Sequence, residues 1–262
     1  MREQAERQDG CGQSALTTTG DLRAWLARQT AGGAVQAARP LGVAPLDKAL
    51  AGGGLARVGL HCLQGDRQAQ GGGLAAPLGL ALAFAVHLRA ALASPAPLIW
   101  AASSGFPYAP GLRGFGLAAR DLLLVRAGRR DALLWALEEC LRSGQAPVVL
   151  GLVSGLERVA GRRLQLAAER GQAACLLVDS HPSGAPLVSM TRWQVRAAAV
   201  RYQQQQRHVP LPERPAWQVD LQQSRGGRPA EALVEWDHAT YSFSLAAQPG
   251  ERNLAADAAA CG

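Results

Sequence analysis

Short, almost wholly apolar runs recur along this chain, at 58–63, 97–102, 122–126, 147–153 and 173–179, with helical patterns between them. A strand that is apolar at every position must be covered on both faces, as the central strands of a parallel sheet flanked by helices are. The alternation therefore predicts an α/β fold with a mainly parallel central sheet. The intervening helices are expected at 74–92, where Pro77 falls in the first turn, at 131–143, with Leu134, Leu137 and Leu141 along one face, and at 157–170. A short helix and turn are expected at 108–116.

The second half of the chain changes its pattern. Thr191-Arg192-Trp193-Gln194-Val195 and Trp217-Gln218-Val219-Asp220-Leu221 alternate apolar with polar side chains, and shorter runs follow at 232–236 and 240–243. Such alternation belongs to half-buried strands, which here would extend the same sheet in antiparallel fashion. The expected organisation is a tail and amphipathic helix at 1–39, one core domain at 40–245 and a flexible tail at 246–262. In the first part, Asp21 is a candidate N-cap, and Leu22, Trp25 and Leu26 share a helix face that either packs on the body or docks on a neighbour. The connection at 203–214 is polar, rich in glutamine and contains proline.

Between the first apolar strand and its helix lies Gln64-Gly65-Asp66-Arg67-Gln68-Ala69-Gln70-Gly71-Gly72-Gly73-Leu74. A nucleotide-binding protein of this layout carries its phosphate loop there. Such a loop needs backbone N–H groups around the phosphates, a Lys ammonium for the β and γ oxygens, and a hydroxyl for Mg²⁺. Gly65, Gly71, Gly72 and Gly73 remain, but no Lys, Ser or Thr follows them. The strand at 97–102 runs into Ser103-Ser104 where a hydrolase would hold a carboxylate to activate water, and the strand at 147–153 runs into Ser154-Gly155 where an Asp would hold the Mg²⁺ shell. Phosphoryl transfer rests on positioning and charge neutralisation, so three vacancies on one scaffold argue against ATP hydrolysis. Asp179 ends the last parallel strand and reads as a cap or turn residue in preference to a catalytic one. Asp179, Ser180 and His181 are sequential, so their side chains are expected to diverge and not to make a nucleophile with its base.

Charge adds a different constraint. Lys and Arg total 27 against 20 for Asp and Glu in 262 residues, the formal net charge is +7, and Lys48 is the sole lysine. An arginine-rich surface suits phosphates or acidic partners, while a genome bias towards Arg and Ala accounts for the composition equally well. Arg192, and Arg225 with Arg228 around Gly226-Gly227, are the candidate contacts, against the plainer reading of a hairpin with solvated arginines. The cysteines at 11, 62, 140, 175 and 261 are odd in number with no close pair, which fits a reducing compartment and a cytoplasmic protein. The histidines at 61, 87, 181, 208 and 238 have no ligand spacing, so no metal and no cofactor is expected. The apolar run at 74–92 carries Pro77, His87 and Arg89 and reads as a buried helix, with no membrane partner.

A set of short motifs stands in order along the chain: Leu41-Gly42 with Leu46-Asp47, Gly52-Gly53-Gly54-Leu55, Tyr108-Ala109-Pro110-Gly111-Leu112, Asp121-Leu122-Leu123-Leu124-Val125, Ala132 to Glu139, Leu141-Arg142-Ser143-Gly144, Arg162 to Glu169, Thr191-Arg192-Trp193 and Arg225-Gly226-Gly227-Arg228-Pro229. In this order they resemble the ImuA family, RecA-like proteins of bacterial SOS mutagenesis, over about 40–243. The resemblance implies a RecA-like, P-loop NTPase-type fold that has lost its ATPase. It implies a non-enzymatic accessory factor in error-prone translesion synthesis, with an ImuB-like protein and an error-prone C-family DNA polymerase as partners. RecA and single-stranded DNA are further candidate partners, and Trp25, Arg192, Arg225 and Arg228 are the candidate contacts. The same ancestry includes SulA, an inhibitor of the division GTPase FtsZ, which is the alternative reading, and a true ATP-dependent recombinase is a third. One arginine, Arg225, stands in Gln222-Gln223-Ser224-Arg225, the strand from which RecA subunits reach a neighbour's nucleotide, so self-assembly without ATP stays open.

Overall fold

The computed structural model describes residues 38–65, 73–90, 96–182, 188–198 and 214–246. Its strands are β1 (Gly59–Gly65), β2 (Leu98–Ala102), β3 (Leu122–Arg126), β4 (Val148–Val153), β5 (Ala174–Asp179), β6 (Thr191–Ala198), β7 (Ala216–Ser224), β8 (Ala230–Asp237) and β9 (Ser242–Leu245). The helices are α1 (Ala44–Asp47), α2 (Ala75–Arg89), α3 (Ala109–Leu112), α4 (Arg130–Arg142) and α5 (Arg158–Gly171). All strands join one 9-stranded sheet in the order β3-β2-β4-β5-β1-β6-β7-β8-β9. The run from β3 to β6 in that order is parallel, and β7, β8 and β9 add to it antiparallel. The α/β class, the mainly parallel sheet and its antiparallel extension are as the sequence pattern predicts.

Strand alternation divides the interior into two cores. Leu98, Trp100 and Ala102 of β2 point to one face, where Leu63, Trp193, Trp217 and Trp236 also lie, and α2 covers them with Leu80, Phe84 and Leu88. Ile99 and Ala101 point to the other, under Leu133, Leu137 and Leu141 of α4 and Leu164, Ala167 and Ala168 of α5. The period of two in each strand, and of three to four in each helix, produces this sorting. On the first face the ring of Phe84 meets Trp193 edge-on at 5.3 Å and Phe243 at 5.5 Å, while Phe243 meets Trp236 at 4.9 Å. Each such ring contributes about 1.5–3 kcal/mol through burial, so this aromatic group holds the antiparallel extension to the parallel half. Pro77 is buried in the first turn of α2, where its missing N–H would have had no intrahelical acceptor.

The motif Leu41-Gly42 with Leu46-Asp47 has a structural cause. The Asp47 carboxylate accepts the N–H of Leu41 at 2.7 Å and of Gly42 at 2.9 Å, closing the entry turn over buried Leu41 and Leu46. Three residues of glycine then let the chain turn back until Arg39 and Leu55 exchange backbone hydrogen bonds at 2.8 Å. A side chain on Gly54 would collide with the Arg39 carbonyl at 2.3 Å, so glycine is required there.

β3 departs from its expected burial. The strand at 122–126 reads as apolar up to Arg126, yet it forms an edge of the sheet, and Leu123 and Leu124 are half-exposed. Among the described residues no strand pairs with its outer edge. Between α4 and α5, buried Glu138 receives Arg163 at 2.9 Å and Arg142 at 3.3 Å, which fixes the register of the two helices.

Candidate functional site

The carboxyl ends of parallel strands are where α/β sheets of this kind bind ligands, and in this sheet β1, β2, β4 and β5 present theirs on one side. β1 ends at Gly65, and the described residues resume at Gly73, two residues before α2 begins at Ala75. A Cβ on Gly65 would lie 2.0 Å from the Gly73 carbonyl oxygen, and Gly73 has φ +59°, so the base of this loop is pinched shut by two glycines. The Gly65 carbonyl accepts the Gln194 amide of β6 at 2.7 Å, and the neighbouring Gln64 amide donates to Gln222 of β7 at 3.0 Å. Gly71 and Gly72 lie outside the described residues. The glycines at 65 and 73 thus answer a steric demand.

The ends of β4 and β5 are tied together. One Asp179 oxygen accepts the N–H groups of Gly155 at 2.8 Å and His181 at 3.0 Å, and the other accepts Leu156 N–H at 3.0 Å. The carboxylate is buried and spends both oxygens on the loop that leads into α5. It acts as a clasp, in agreement with the capping role expected of it. Next to it, the Ser180 hydroxyl lies 2.9 Å and the Ser154 hydroxyl 3.2 Å from His181 Nδ1. This corrects the expectation that neighbouring side chains diverge: the turn after β5 folds His181 back over Ser180. Since Asp179 is bound to amides, it does not orient the imidazole, so the arrangement lacks the third member of a triad. Among the described residues no group of three or more His, Cys, Asp or Glu side chains is placed to hold a metal ion.

The sheet interior beside this site is inert by design of its hydrogen bonds. The Trp193 indole N–H donates to Thr191 Oγ1 at 2.7 Å, Thr191 Oγ1 meets His61 Nδ1 at 2.8 Å, and His61 Nε2 meets the Ala56 carbonyl at 2.9 Å. A carbonyl only accepts, so Nε2 carries the proton and Nδ1 takes the Thr191 hydroxyl proton; each member has a partner. Burial holds His61 down to about 4, and His87, also lowered to about 4, is kept neutral by burial and by the Arg39 guanidinium. Burial pushes the Cys62 thiol up to about 12 and raises Cys175 as well, so neither is a nucleophile at neutral pH.

The arginines selected from sequence do not gather at the strand ends. Arg192 sits on β6 opposite Cys62 in register, on the sheet face away from buried Trp193, so the two side chains do diverge as expected. Arg225 and Arg228 belong to the β7–β8 turn, near Met190 and Ala49, towards the amino-terminal side of the parallel strands. Gly226 has φ +78°, and a Cβ on Gly227 would meet the Ala49 carbonyl at 2.1 Å, so both glycines are needed to seat the turn. Arg225 reaches Glu169 of α5 at 3.5 Å, while Arg228 is exposed. Trp25 lies outside the described residues.

A hollow that the sequence did not announce opens on the α2 face. It has a volume of about 610 Å³ and is walled by Leu78 and Leu82 of α2, Trp100, Phe115 and Trp217, with Tyr108 at 78% exposure on its wall. Its residues come from distant parts of the chain, and no local pattern brings them together. Among the described residues no helix is long and apolar enough to cross a membrane.

No family model matches the chain. Two relatives from strains of Caulobacter vibrioides, each named Protein ImuA, are similar to it at 28% identity over 232 residues, spanning 80% of this chain and 89% of theirs. That similarity supports an ImuA-like family assignment.

Proposed function

We propose that this chain is a non-catalytic, RecA-like accessory protein of SOS-induced, error-prone translesion DNA synthesis. It serves as an adaptor for an ImuB-like protein and an error-prone C-family DNA polymerase, in the cytoplasm and at the damaged nucleoid. The observation that carries this reading is the state of the strand ends. The loop after β1 keeps its place but lacks a lysine and hydroxyl, β2 and β4 run into serines, and the carboxylate present, Asp179, is spent on backbone amides. A scaffold with the layout of a nucleotide hydrolase and without its charge-neutralising groups is suited to binding through its surfaces. Similarity to Protein ImuA supports a role in SOS mutagenesis.

Deletion of the gene in its native host tests the proposal. Damage-induced mutation should fall to the uninduced level and return with the wild-type gene. A variant carrying Asp179→Asn, with fold retained, should restore it too. Unchanged mutagenesis in the deletion strain, or filamentation control lost in its place, overturns the reading in favour of a division inhibitor. Metal-dependent ATP turnover by the purified protein, surviving removal of host ATPases, would contradict its non-catalytic part.

A further inference from the structure

The outer surface of the α4–α5 layer carries a stripe that neither the fold nor the proposed pathway explains. On α5, Leu164, Ala167 and Ala168 face the core, yet Val159 is 72% and Leu166 is 42% exposed on the opposite side. They are seven residues apart, so they share one helix face, with Arg162 between them and Arg170 one turn beyond. On α4, Trp135 is 62% exposed.

Trp135 adjoins this stripe by helix geometry. Glu138 of α4 meets Arg163 of α5 at 2.9 Å. Trp135 lies one turn before Glu138, and Val159 one turn before Arg163. Both helices connect parallel strands in the same sense, so they run side by side in one direction, and Trp135 and Val159 stand at the same level on adjacent helices.

The charge around these apolar groups is mainly positive: Asp131, one turn before Trp135, is an exposed carboxylate with no ion pair among the described residues, and the other acidic groups are neutralised. Glu138, Glu139, Glu157 and Glu169 are each engaged by an arginine. Arg158, Arg162 and Arg170 are exposed and make no ion pair among the described residues. An apolar centre containing a tryptophan, rimmed by uncompensated arginines, is complementary to an acidic surface with large apolar side chains. The groove between two parallel helices accepts a third helix by ridges and grooves.

We infer that Trp135, Val159 and Leu166, with Arg158, Arg162 and Arg170, form a docking surface for an acidic amphipathic helix of a partner protein. The partner helix places apolar residues at i, i+3 or i+4, and i+7 on this stripe and its carboxylates against the arginines. The aliphatic residues at the centre favour protein over nucleic acid, since single strands bind through aromatic stacking platforms and backbone-tracking charge. The inference does not depend on the translesion pathway.

Fluorescence anisotropy of the full chain with a labelled synthetic helix, Leu at those spacings and Glu elsewhere, tests it, alongside the same peptide with Lys for Glu. Binding of the Glu peptide alone, weakened by roughly tenfold or more in Trp135→Ala and in Arg162→Glu and weakened by added salt, is the expected result. Both residues are exposed, so circular dichroism should show the fold unchanged, and Arg162→Glu keeps the test valid if Trp135→Ala does not fold. No binding of the Glu peptide, equal binding of both peptides, or binding indifferent to both substitutions overturns the inference. Preferential binding of a single-stranded oligonucleotide or of phosphatidylglycerol vesicles at Trp135 overturns it as well, by assigning the stripe another class of partner.

Discussion

A Cβ placed on Gly65 would lie 2.0 Å from the carbonyl oxygen of Gly73, so the two ends of the loop after β1 are held in backbone contact that only glycine at 65 permits. Gly65→Ala is expected to destabilise the protein by about 2–4 kcal/mol, because backbone and not a flexible side chain would have to move. Gly128→Ala meets nothing within 4 Å and should change stability by less than about 0.5 kcal/mol. Urea unfolding of both variants checks the pair; similar midpoints would refute the pinched loop base.

The Asp179 clasp makes a second expectation. Asp179→Asn retains the shape but replaces one acceptor oxygen by a donor facing the N–H groups of Gly155, His181 or Leu156. Charge-assisted bonds are lost and a donor faces a donor, a cost of about 2–3 kcal/mol. The loss should appear as a lowered unfolding midpoint, with faster amide exchange at Gly155 and Leu156.

Acid should weaken the fold before carboxylates dominate. His61 is held near 4 in the folded chain and titrates near 6.5 when unfolded, so the unfolded state binds the proton first. Its stabilising effect is complete above about pH 6.5 and is lost as pH falls towards 4, with a slope of at most about 1.4 kcal/mol per pH unit. His87 acts in the same direction and over the same window. Thermal unfolding from pH 7 to 5 should show this slope, and His87→Phe, a swap that preserves the edge contact with Phe243, should make it shallower. A flat profile would contradict neutral burial of these histidines.

The Arg225 to Glu169 pair is long and half-exposed, 3.5 Å at 40% and 43% exposure, so its worth to stability is small, about 0–1 kcal/mol. Arg225→Ala with Arg228→Ala should therefore unfold close to the wild-type midpoint. If these arginines meet phosphates, the expectation that the sequence raised for them, titration with single-stranded DNA should show salt-dependent affinity in the wild type. The double variant should reduce the slope of log affinity against log salt by about 1–2. Identical slopes would leave the arginines as features of the turn.

The legible part of this protein was what repeats locally. Period-two and period-three-to-four patterns marked each strand and helix to within a few residues, and the absence of charge from β2 and β4, and from β5 before Asp179, indicated a doubly covered parallel sheet. The expectation of lost nucleotide chemistry rested on residue type at single positions, which a sequence displays directly. The order of motifs carried the family resemblance, and their structure explains why: Asp47, Gly54 and Gly227 are fixed by contacts that any chain with this entry turn and hairpin must make.

The sequence by itself determined the α/β class, the antiparallel extension and the ImuA-like resemblance, because each depends on residue type along a short stretch. Only the tertiary structure decided which apolar residues remain outside. Leu123 and Leu124 look like core until β3 takes the edge, and Trp135 with Leu166 is indistinguishable from a buried stripe until α4 and α5 are oriented by Glu138 and Arg163. The role of Asp179 was settled in the same way, by where its amide partners fell. The arginines at 192, 225 and 228 proved to lie away from the strand ends because register, a property of the assembled sheet, sets their position. Exposure and register are relations between distant segments, and a chain read residue by residue contains the pattern of its elements but not their neighbours.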